Sequence, residues 1–320
     1  MSASSARMAE DLADKVALVT GAGRGLGRAY ARSLARLNCA LVVNSRPREN
    51  GASAQLVADE IVAAGGRAVA HSGSVATVEG AAGAVDAALH AFGRLDILVL
   101  NAGVVLNRPF PETTEADLQA MLDVHLLGPF AAIQRALPSM LDQGWGRIVL
   151  TGSGSASFGL ENQSAYASAK AAIIGLCNVL KIEAADSGVL VNAVLPVAPP
   201  AGRTPASVRI AEAFGSCAVR LAPDWVAPLV CLLASHHCPG TGGVYSAVAG
   251  RYGRVFTAVG EGWTAPGTEP PSLVEMAGHL ESIVSERRWS IPTSILDEIE
   301  GVALQAARRS DDWIAARVDS

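Results

Sequence analysis

Short apolar, largely β-branched runs alternate along this chain with longer stretches in which alanine and leucine recur at helical spacing. The predicted strands cover residues 16–20, 40–44, 68–71, 97–100, 148–151, 189–195 and 244–249. The predicted helices cover residues 26–37, 53–64, 78–92, 115–137 and 165–185. Continuous apolar strands separated by helices are typical of a parallel sheet with both faces covered. The pattern predicts an α/β fold, a doubly wound parallel sheet of about seven strands.

The chain changes character after about residue 250. A stretch rich in glycine and proline at 260–271 precedes two further helical patterns, at 272–289 and 295–309. We therefore expect a main domain of residues 1–250 and a helical C-terminal extension, residues 251–320, packed on it. Earlier, the proline-rich segment 196–205 predicts a loop, followed by a short helix around 207–215.

The composition argues against several classes of function. Half of the 320 residues are hydrophobic and 17% are charged, so a large core is available. A net charge of −5 argues against nucleic-acid binding and against a polybasic membrane role. No apolar run approaches the roughly 18 residues that span a bilayer, and the polar N-terminal segment does not resemble a signal peptide. We expect a cytoplasmic protein.

The cysteines predict a reduced protein without a metal centre. The five cysteines show no CxxC spacing, so we interpret them as reduced, buried or half-buried thiols. The run His236-His237-Cys238 is a weak metal candidate, because three adjacent side chains seldom converge on one ion.

A glycine-rich turn, residues 20–27, follows the first predicted strand directly and opens the first predicted helix. Its glycines allow the backbone to approach a pyrophosphate closely, and the N–H groups that begin the helix favour an anion. The strand–turn–helix context therefore predicts a dinucleotide site. The candidate contacts in this turn are Gly21, Arg24, Gly25, Leu26 and Gly27.

The end of the second predicted strand reads Asn44-Ser45-Arg46 and contains no acid. NAD enzymes usually carry an acid there for the ribose 2′-OH, whereas hydroxyl and guanidinium groups suit a 2′-phosphate. We therefore predict NADP as the cofactor, with NAD as the alternative, and assign the phosphate to Ser45, Arg46 and Arg24. The competing interpretation is that both arginines are solvated surface charges.

Tyr166 and Lys170 are four residues apart on a predicted helix and so share one face. A lysine beside a tyrosine favours the phenolate and lowers the tyrosine pKa from about 10. Such a tyrosine can pass a proton to or from a carbonyl or alcohol oxygen. Taken alone, the pair fits a surface tyrosine on an alanine-rich helix equally well. The motifs that precede it decide between this interpretation and a catalytic pair.

Four motifs in this order resemble the short-chain dehydrogenases/reductases: the glycine turn, Asn101-Ala102-Gly103, Ser153, and Tyr166-x-x-x-Lys170. The resemblance covers about residues 12–250. It implies a Rossmann-like fold and NAD(P)-dependent interconversion of a ketone and a secondary alcohol. In that family the serine positions the reacting oxygen, the tyrosine is the acid/base, and the lysine lowers its pKa and holds the nicotinamide ribose. The further cofactor contacts that we expect are Ser74, Val75, Asn101, Ala102, Gly103, Tyr166, Lys170, Pro196 and Thr204.

Residues 25–31, 124–126, 225–230, 242–245 and 249–250 are similar to the (3R)-hydroxyacyl-CoA dehydrogenase unit of multifunctional enzyme type 2 and its bacterial relatives. Many family members carry a catalytic asparagine where this chain has His125, and that subgroup also looks to carry histidine. His125 can anchor a water in a proton path, or it is a histidine satisfied in the core. Leu100 replaces one family asparagine, and Gly73 replaces an acid that often contacts adenine.

The segment from Pro196 to Arg220 is expected to form a mobile lid over the cleft. Its mostly small, apolar residues predict a bulky, largely apolar substrate: a fatty acyl-CoA, a steroid or a polyketide ketone. The side chains expected along the approach are Ser157, Phe158, Leu160 and Asn162. Arg108, Arg203 and Arg209 are candidates for binding CoA.

Other functions remain open at this point. One is a polyketide or other secondary-metabolite ketoreductase. Another is a subunit or NADP-binding module of a hetero-oligomeric complex, which the C-terminal extension keeps open although the Ser/Tyr/Lys set is intact. The resemblance implies a small-molecule substrate and a homodimer or homotetramer formed through the helices at 115–137 and 165–185.

Overall fold

The computed structural model describes residues 12–47, 53–198, 205–266 and 269–305. The chain divides into two compact units, Met1–Val255 and Phe256–Ser320. The strands of the first unit are β1 (Val16–Val19), β2 (Ala40–Ser45), β3 (Arg67–Ser72), β4 (Ile97–Leu100), β5 (Gly146–Thr151), β6 (Val189–Val197), β7 (Val244–Val248) and β8 (Arg251–Val255). They form one sheet in the order β3-β2-β1-β4-β5-β6-β7-β8.

Strands β1 to β7 are parallel, which confirms the predicted doubly wound sheet. The central strand β1 pairs with β2 on one side and β4 on the other, so that Ala17 faces both Leu41 and Ile97. The strand order reverses at this point. Ligands of open α/β sheets bind in the crevice beyond the carboxyl ends of the strands at such a reversal.

The eighth strand was not predicted. Strand β8 runs antiparallel to β7, and the pair is joined at Ala249 and Gly250, whose φ angles are 48° and 85°. Two consecutive residues with positive φ suit a tight hairpin turn. The boundary expected at residue 250 falls inside this hairpin, so the first unit extends to Val255 and residues 251–255 are strand rather than helical extension.

Helices cover both faces of the sheet. The helices of the first unit are α1 (Gly25–Arg36), α2 (Ala54–Ala63), α3 (Val78–Phe92), α4 (Glu115–Leu122), α5 (Gly128–Asp142), α6 (Gly154–Phe158), α7 (Ser164–Glu183), α8 (Pro205–Phe214) and α9 (Ala227–Leu233). Successive residues of β1 point to opposite faces of the sheet. Leu18 belongs to the apolar cluster on one face, and Ala17 and Val19 belong to the cluster on the other. Because both faces are buried, the strands are apolar throughout instead of alternating.

The single helix predicted at 115–137 is wrong. Helix α4 begins at a Thr114–Asp117 capping box and ends at Leu122, and a π-helical turn, Asp123–Leu127, then separates it from α5. Pro129 has no N–H to donate to the carbonyl of His125 four residues earlier, so a regular α-helix cannot continue through this point. The wider turn relieves the conflict and places His125 in the interior.

Among the described residues, helix α7 is the one helix that is long and apolar enough to span a membrane. The bent pair Val208–Leu221 and Pro223–Leu233 is long and apolar enough only if the two parts are taken together. In α7, however, Ile173, Cys177 and Leu180 lie in the core beside the sheet. The cysteines are free, but Cys217 is exposed, which corrects the expectation that all five are at least half-buried.

The second unit contains helices α10 (Leu273–Gly278) and α11 (Leu280–Ile283) and a helix described over residues 295–305. A two-stranded antiparallel ribbon pairs β9 (Val259–Gly260) with β10 (Trp289–Ser290). The helix predicted at 272–289 is therefore wrong beyond Ile283. Trp289 packs against Phe256 instead, with ring centres 5.8 Å apart. The packing of this unit on the first stays a prediction.

Candidate active site

A cavity of about 330 Å³ opens at the carboxyl ends of the parallel strands. It is lined by the glycine turn, by the ends of β2 to β6 and by helix α7. The predicted site residues that line it are Gly21, Arg24, Gly25, Leu26, Ser45, Arg46, Ser74, Val75, Asn101, Ala102, Gly103, His125, Tyr166, Lys170 and Pro196. Gly27 is buried behind the turn, Ser153 lies beside Tyr166, and Thr204 falls outside the described residues.

The glycine turn is packed so closely that side chains are excluded from it. A Cβ at Gly27 would lie 2.5 Å from the carbonyl oxygen of Gly21 and 2.6 Å from the amide nitrogen of Asn101. Gly21 has a φ of 65°. Asn101 donates to the carbonyl of Thr20 at 3.0 Å, and the Thr20 hydroxyl accepts from two backbone N–H groups of the 101–102 segment. These bonds hold the end of β4 against the turn, so the backbone stays open toward a ligand.

Unsatisfied polar atoms point to a bound polar molecule. Ser45 Oγ, His125 Nδ1 and Thr151 Oγ1 are buried without a hydrogen-bond partner among the described residues. All three residues line this one cavity. Buried polar groups in native proteins are almost always paired, so three orphans in one cavity are the arrangement expected of a site that holds a cofactor and water. Together with the glycine turn, these residues fit a nicotinamide dinucleotide.

Among the described residues, up to Pro47, the end of β2 offers no carboxylate to this cavity. The Asn44 amide instead bridges to β3, donating to the carbonyl of Gly73 at 3.1 Å and contacting His71 Nδ1 at 3.0 Å. Ser45 is half-buried and its hydroxyl is free, whereas Arg46 and Arg24 are exposed. Gly23 leaves the room that Ser45 needs, because a Cβ there would lie 2.7 Å from Ser45 Oγ. A hydroxyl and two arginines therefore line the cavity at the end of β2 and in the glycine turn.

Lys170 is buried in the floor of the cavity. Its ammonium donates to the backbone carbonyl of Thr151 at 2.6 Å and lies 6.0 Å from the centre of the Tyr166 ring. Burial lowers the pKa of Lys170 from 10.5 to about 7. Sequence reasoning missed Thr151, because a residue that acts through its backbone carbonyl leaves no side-chain signal.

The expected direction of the Tyr166 pKa is wrong for the cofactor-free protein. Burial raises the pKa of the Tyr166 phenol, and a hydrogen bond with Ser153 opposes that rise. Lys170 is itself a weakened cation in this environment, and its ammonium is directed to Thr151. The group that favours the phenolate is therefore Ser153.

His125 is buried and neutral. Its Nε2 lies 2.8 Å from the carbonyl oxygen of Val104, which can only accept, so Nε2 carries the hydrogen and Nδ1 is left as an acceptor. Burial first and the charge of Lys170 second lower the pKa of His125 to about 3. Its ring meets that of Tyr166 edge to face, with centres 5.3 Å apart. One ring nitrogen is thus satisfied by the fold, and the other is buried without a partner among the described residues. The part of His125 in a proton path stays a prediction.

Exposed apolar side chains lie on the segments that follow β4, β5 and β6. They are Val105, which lines the cavity, and Phe110, Phe158, Leu160 and Val219. The loop after β4 is tied to the start of α7, because Arg108 N donates to the Asn162 carbonyl at 2.7 Å and the Gln163 amide donates to Asn107 at 2.9 Å. Among the CoA candidates, Arg108 is paired with Asp117, and Arg203 falls outside the described residues.

The segment expected as a lid is partly regular. Pro196 belongs to strand β6 rather than to a loop, and pairs with Ala247 of β7. Helix α8 and a 3₁₀ turn, Gly215–Leu221, follow. The mobility of this segment stays a prediction.

Comparison with known proteins agrees with this geometry. The family model described as short chain dehydrogenase matches residues 15–208. The peroxisomal multifunctional enzyme type 2 of Drosophila melanogaster is 35% identical over 316 residues, 97% of this chain and 51% of that enzyme. The chain thus spans about half of that relative. A putative short-chain type dehydrogenase/reductase of Mycobacterium tuberculosis is 36% identical over 276 residues, 84% of this chain and 94% of that protein.

A solved structure shows the same fold. The crystal structure of a short-chain dehydrogenase from Mycobacterium avium matches with a TM-score of 0.74 and 33% identity, covering 86% of this chain and 97% of that one. The matched residues contain the glycine turn, Ser153, Tyr166 and Lys170. The chain belongs to the short-chain dehydrogenase/reductase family, whose members are oxidoreductases that act on CH–OH groups with NAD(P).

Proposed function

We propose that this chain interconverts a ketone and a secondary alcohol on a bulky, largely apolar substrate, with NADP as its cofactor. The observation that carries the proposal is the meeting of Ser153, Tyr166 and a buried Lys170 beside the glycine turn. A (3R)-hydroxyacyl-CoA dehydrogenase activity is one form that this proposal can take. The chain is similar to about half of a multifunctional enzyme, so the activity of that whole enzyme does not carry over directly.

The residues of the site divide the proton chemistry among them. When bound, the cofactor supplies or accepts a hydride. Tyr166 gives its proton to the ketone oxygen during reduction and takes it back during oxidation. Ser153 donates a hydrogen bond to the same oxygen as negative charge develops on it. Lys170 uses one N–H for the Thr151 carbonyl and keeps its others for the nicotinamide ribose and the phenol.

His125 acts as an acceptor in the proposed proton path. With Nε2–H fixed on the Val104 carbonyl, Nδ1 can hold a water molecule that links the catalytic groups to solvent. Its low pKa keeps the ring neutral at physiological pH, so it does not compete with Tyr166 as an acid. His125→Phe should therefore slow proton delivery without removing the Ser153–Tyr166–Lys170 set. An unchanged solvent isotope effect on kcat in that variant would argue for a purely structural histidine.

The preference for NADP rests on the end of β2. Ser45 offers an unpaired hydroxyl, and Arg46 and Arg24 offer exposed cations at the same end of the cavity. We expect kcat/KM to be higher with NADPH than with NADH by about tenfold or more, the worth of one or two charge-assisted bonds. Ser45→Asp should reverse that order, because the carboxylate suits a ribose hydroxyl and repels a phosphate. A clear NADH preference in the unaltered protein would refute this assignment.

The substrate class is best tested by a panel. Val105 lines the cavity, and Phe110 and Phe158 are exposed on the segments after β4 and β5; these side chains favour an apolar substrate. Turnover should be measured with 3-ketoacyl-CoAs, ketosteroids and aromatic polyketide ketones, using NADPH and NADH in parallel. Strict selectivity for short, polar ketones would contradict the proposal. Failure to turn over any ketone or alcohol would favour the NADP-binding module instead.

We also propose a cytoplasmic homodimer or homotetramer. Helices α5 and α7 leave apolar side chains exposed, including Phe130 at 50%, Val179 at 51% and Ile182 at 53%. Such side chains on two helices are typical of an interface between subunits. Light scattering coupled to size-exclusion chromatography tests the number of subunits. The cytoplasmic location is supported by the free cysteines and tested by fractionation of cells.

A further inference from the structure

Ser153 has a second serine as its neighbour. It begins helix α6 as the N-cap residue, and its oxygen accepts from the backbone N–H of Ser155 at 3.3 Å. The hydroxyl of Ser155 lies 2.7 Å from the hydroxyl of Ser153. That separation is typical of a well-formed O–H···O bond. Either hydroxyl has the geometry to be the donor, so the bonding capacity of the two groups must decide.

A serine hydroxyl has one hydrogen to donate and two positions at which to accept. The N–H of Ser155 occupies one acceptor position of Ser153. If Ser153 gave its hydrogen to Ser155, it would have none for Tyr166 or for a substrate oxygen. If Ser155 is the donor, both acceptor positions of Ser153 are filled and its hydrogen is free for the site.

The position and the proposed role of Ser153 select the second arrangement. Ser153 lies within reach of the Tyr166 phenol, where it opposes the rise of the Tyr166 pKa. The role proposed for Ser153, donation to a reacting oxygen, requires its single hydrogen. Ser153 therefore directs its single hydrogen into the site. The 2.7 Å contact with Ser155 must then run from Ser155 to Ser153.

We propose that Ser155 is a positioning residue whose hydroxyl donates to Ser153 and turns the Ser153 hydrogen toward Tyr166 and the substrate oxygen. This inference rests on the proposed function and adds a fourth side chain to its serine–tyrosine–lysine set. Hydrogen bonds in a chain polarise one another, so the bond that Ser153 receives strengthens the one that it donates. The short helix α6 fixes the geometry, because it holds Ser155 two residues beyond the cap.

The test compares Ser155→Ala with Ser155→Thr, which keeps the hydroxyl. We expect Ser155→Ala to lower kcat by about threefold to tenfold, the worth of one neutral hydrogen bond, with little change in the KM for NADPH. The pH midpoint for alcohol oxidation should move upward, since Tyr166 loses part of its donor. Ser155→Thr should restore most of kcat. Ser139→Ala is the matched control, a half-buried helical serine bonded at 2.9 Å to the Ala136 carbonyl, and it should change neither quantity.

A double-mutant cycle separates positioning from general damage. If Ser155 acts only through Ser153, then Ser155→Ala should cost nothing further in the Ser153→Ala background. The inference would be overturned if the two substitutions lowered kcat by independent factors that multiply in the double variant. It would also be overturned if Ser155→Ala alone kept a normal kcat and pH midpoint. Neither outcome would affect the proposed function.

A readout without turnover keeps the inference testable if no substrate is found. The ultraviolet titration of Tyr166, taken as the difference from Tyr166→Phe, should move to higher pH in Ser155→Ala. An unmoved titration would overturn the inference. Inactive wild-type protein, in contrast, bears on the proposed function alone.

Discussion

Replacing Lys170 with methionine should stabilise the cofactor-free protein at pH 6 while abolishing turnover. The Lys170 side chain is buried, and burial lowers its pKa from 10.5 to about 7. In the unfolded chain the lysine recovers its ordinary pKa of about 10.4. The unfolded state therefore binds the proton more readily than the native state, and stability rises with pH through this interval.

The size of the effect follows from the two pKa values. Below pH 7 both states are protonated and the native state carries the full cost of a buried cation. Each unit of difference between the native and unfolded pKa is worth about 1.4 kcal/mol. The difference between about 7 and 10.5 therefore lowers the free energy of unfolding by about 5 kcal/mol when Lys170 is charged. Methionine fills similar space but leaves the Thr151 carbonyl without its donor, which costs about 1–3 kcal/mol. The net gain at pH 6 is about 2–4 kcal/mol, and it disappears above about pH 10.5.

The assay is urea unfolding followed by circular dichroism at several values from pH 6 to pH 10.5, on wild-type and Lys170→Met proteins without cofactor. Lys181→Met, a half-buried lysine on the same helix, is the control and should show no comparable gain at pH 6. A Lys170→Met variant that is less stable at pH 6, or whose advantage is the same at every pH, would refute the reasoning.

Four further outcomes are expected. Tyr166→Phe should reduce kcat by about a thousandfold or more while the dissociation constant for NADPH stays within about twofold; near-normal kcat would remove Tyr166 as the acid. Lys170→Ala should damage both turnover and cofactor binding. Gly27→Ala should weaken NADPH binding by about tenfold or more in a calorimetric titration, because its Cβ would lie 2.5 Å from a backbone oxygen; unchanged affinity would contradict the packing of the turn. Phe130→Glu should lower the mass seen by light scattering if α5 forms the subunit interface, and an unchanged mass would place that interface elsewhere.

Motifs whose position is set by the strand or helix that carries them could be predicted from the sequence. The glycine turn, Asn101 and the Tyr166–Lys170 pair each sit at the end of a strand or on a helix that its own periodicity defines. Parallel strands bring their carboxyl ends to one edge, so the motifs had to meet once the sheet was correct. The family resemblance and the doubly wound fold are confirmed on this basis.

Partners that act through the backbone could not be predicted in this way. The Thr151 carbonyl that holds Lys170 and the Val104 carbonyl that fixes His125 are set by the register of β5 and by the path of the loop after β4. The direction of the Tyr166 pKa depends on burial, which a helix face does not specify. Strand β8 is short and half polar, so its residues carried no apolar run. The sequence shows that Ser153 and Ser155 are two residues apart. Their contact could not be predicted from it, because it depends on the short helix that begins after Ser153.

Two of the proposed site residues, His125 and Ser153, lie where regular helices are interrupted, whereas Tyr166 and Lys170 lie within the continuous helix α7. The π turn at Asp123–Leu127 inserts one residue and brings His125 inward, against the preference of a surface helix to keep a polar side chain outside. Helix α6 is five residues long and has Ser153 as its N-cap, so its cap uses the same oxygen to which we assign a role in the reaction. A cap that only stabilised α6 could be any small polar residue. If Ser153→Asn, which also caps and adds no charge, kept the fold and its thermal stability but lost turnover, the capping of α6 would be separated from the role proposed for Ser153 in the reaction.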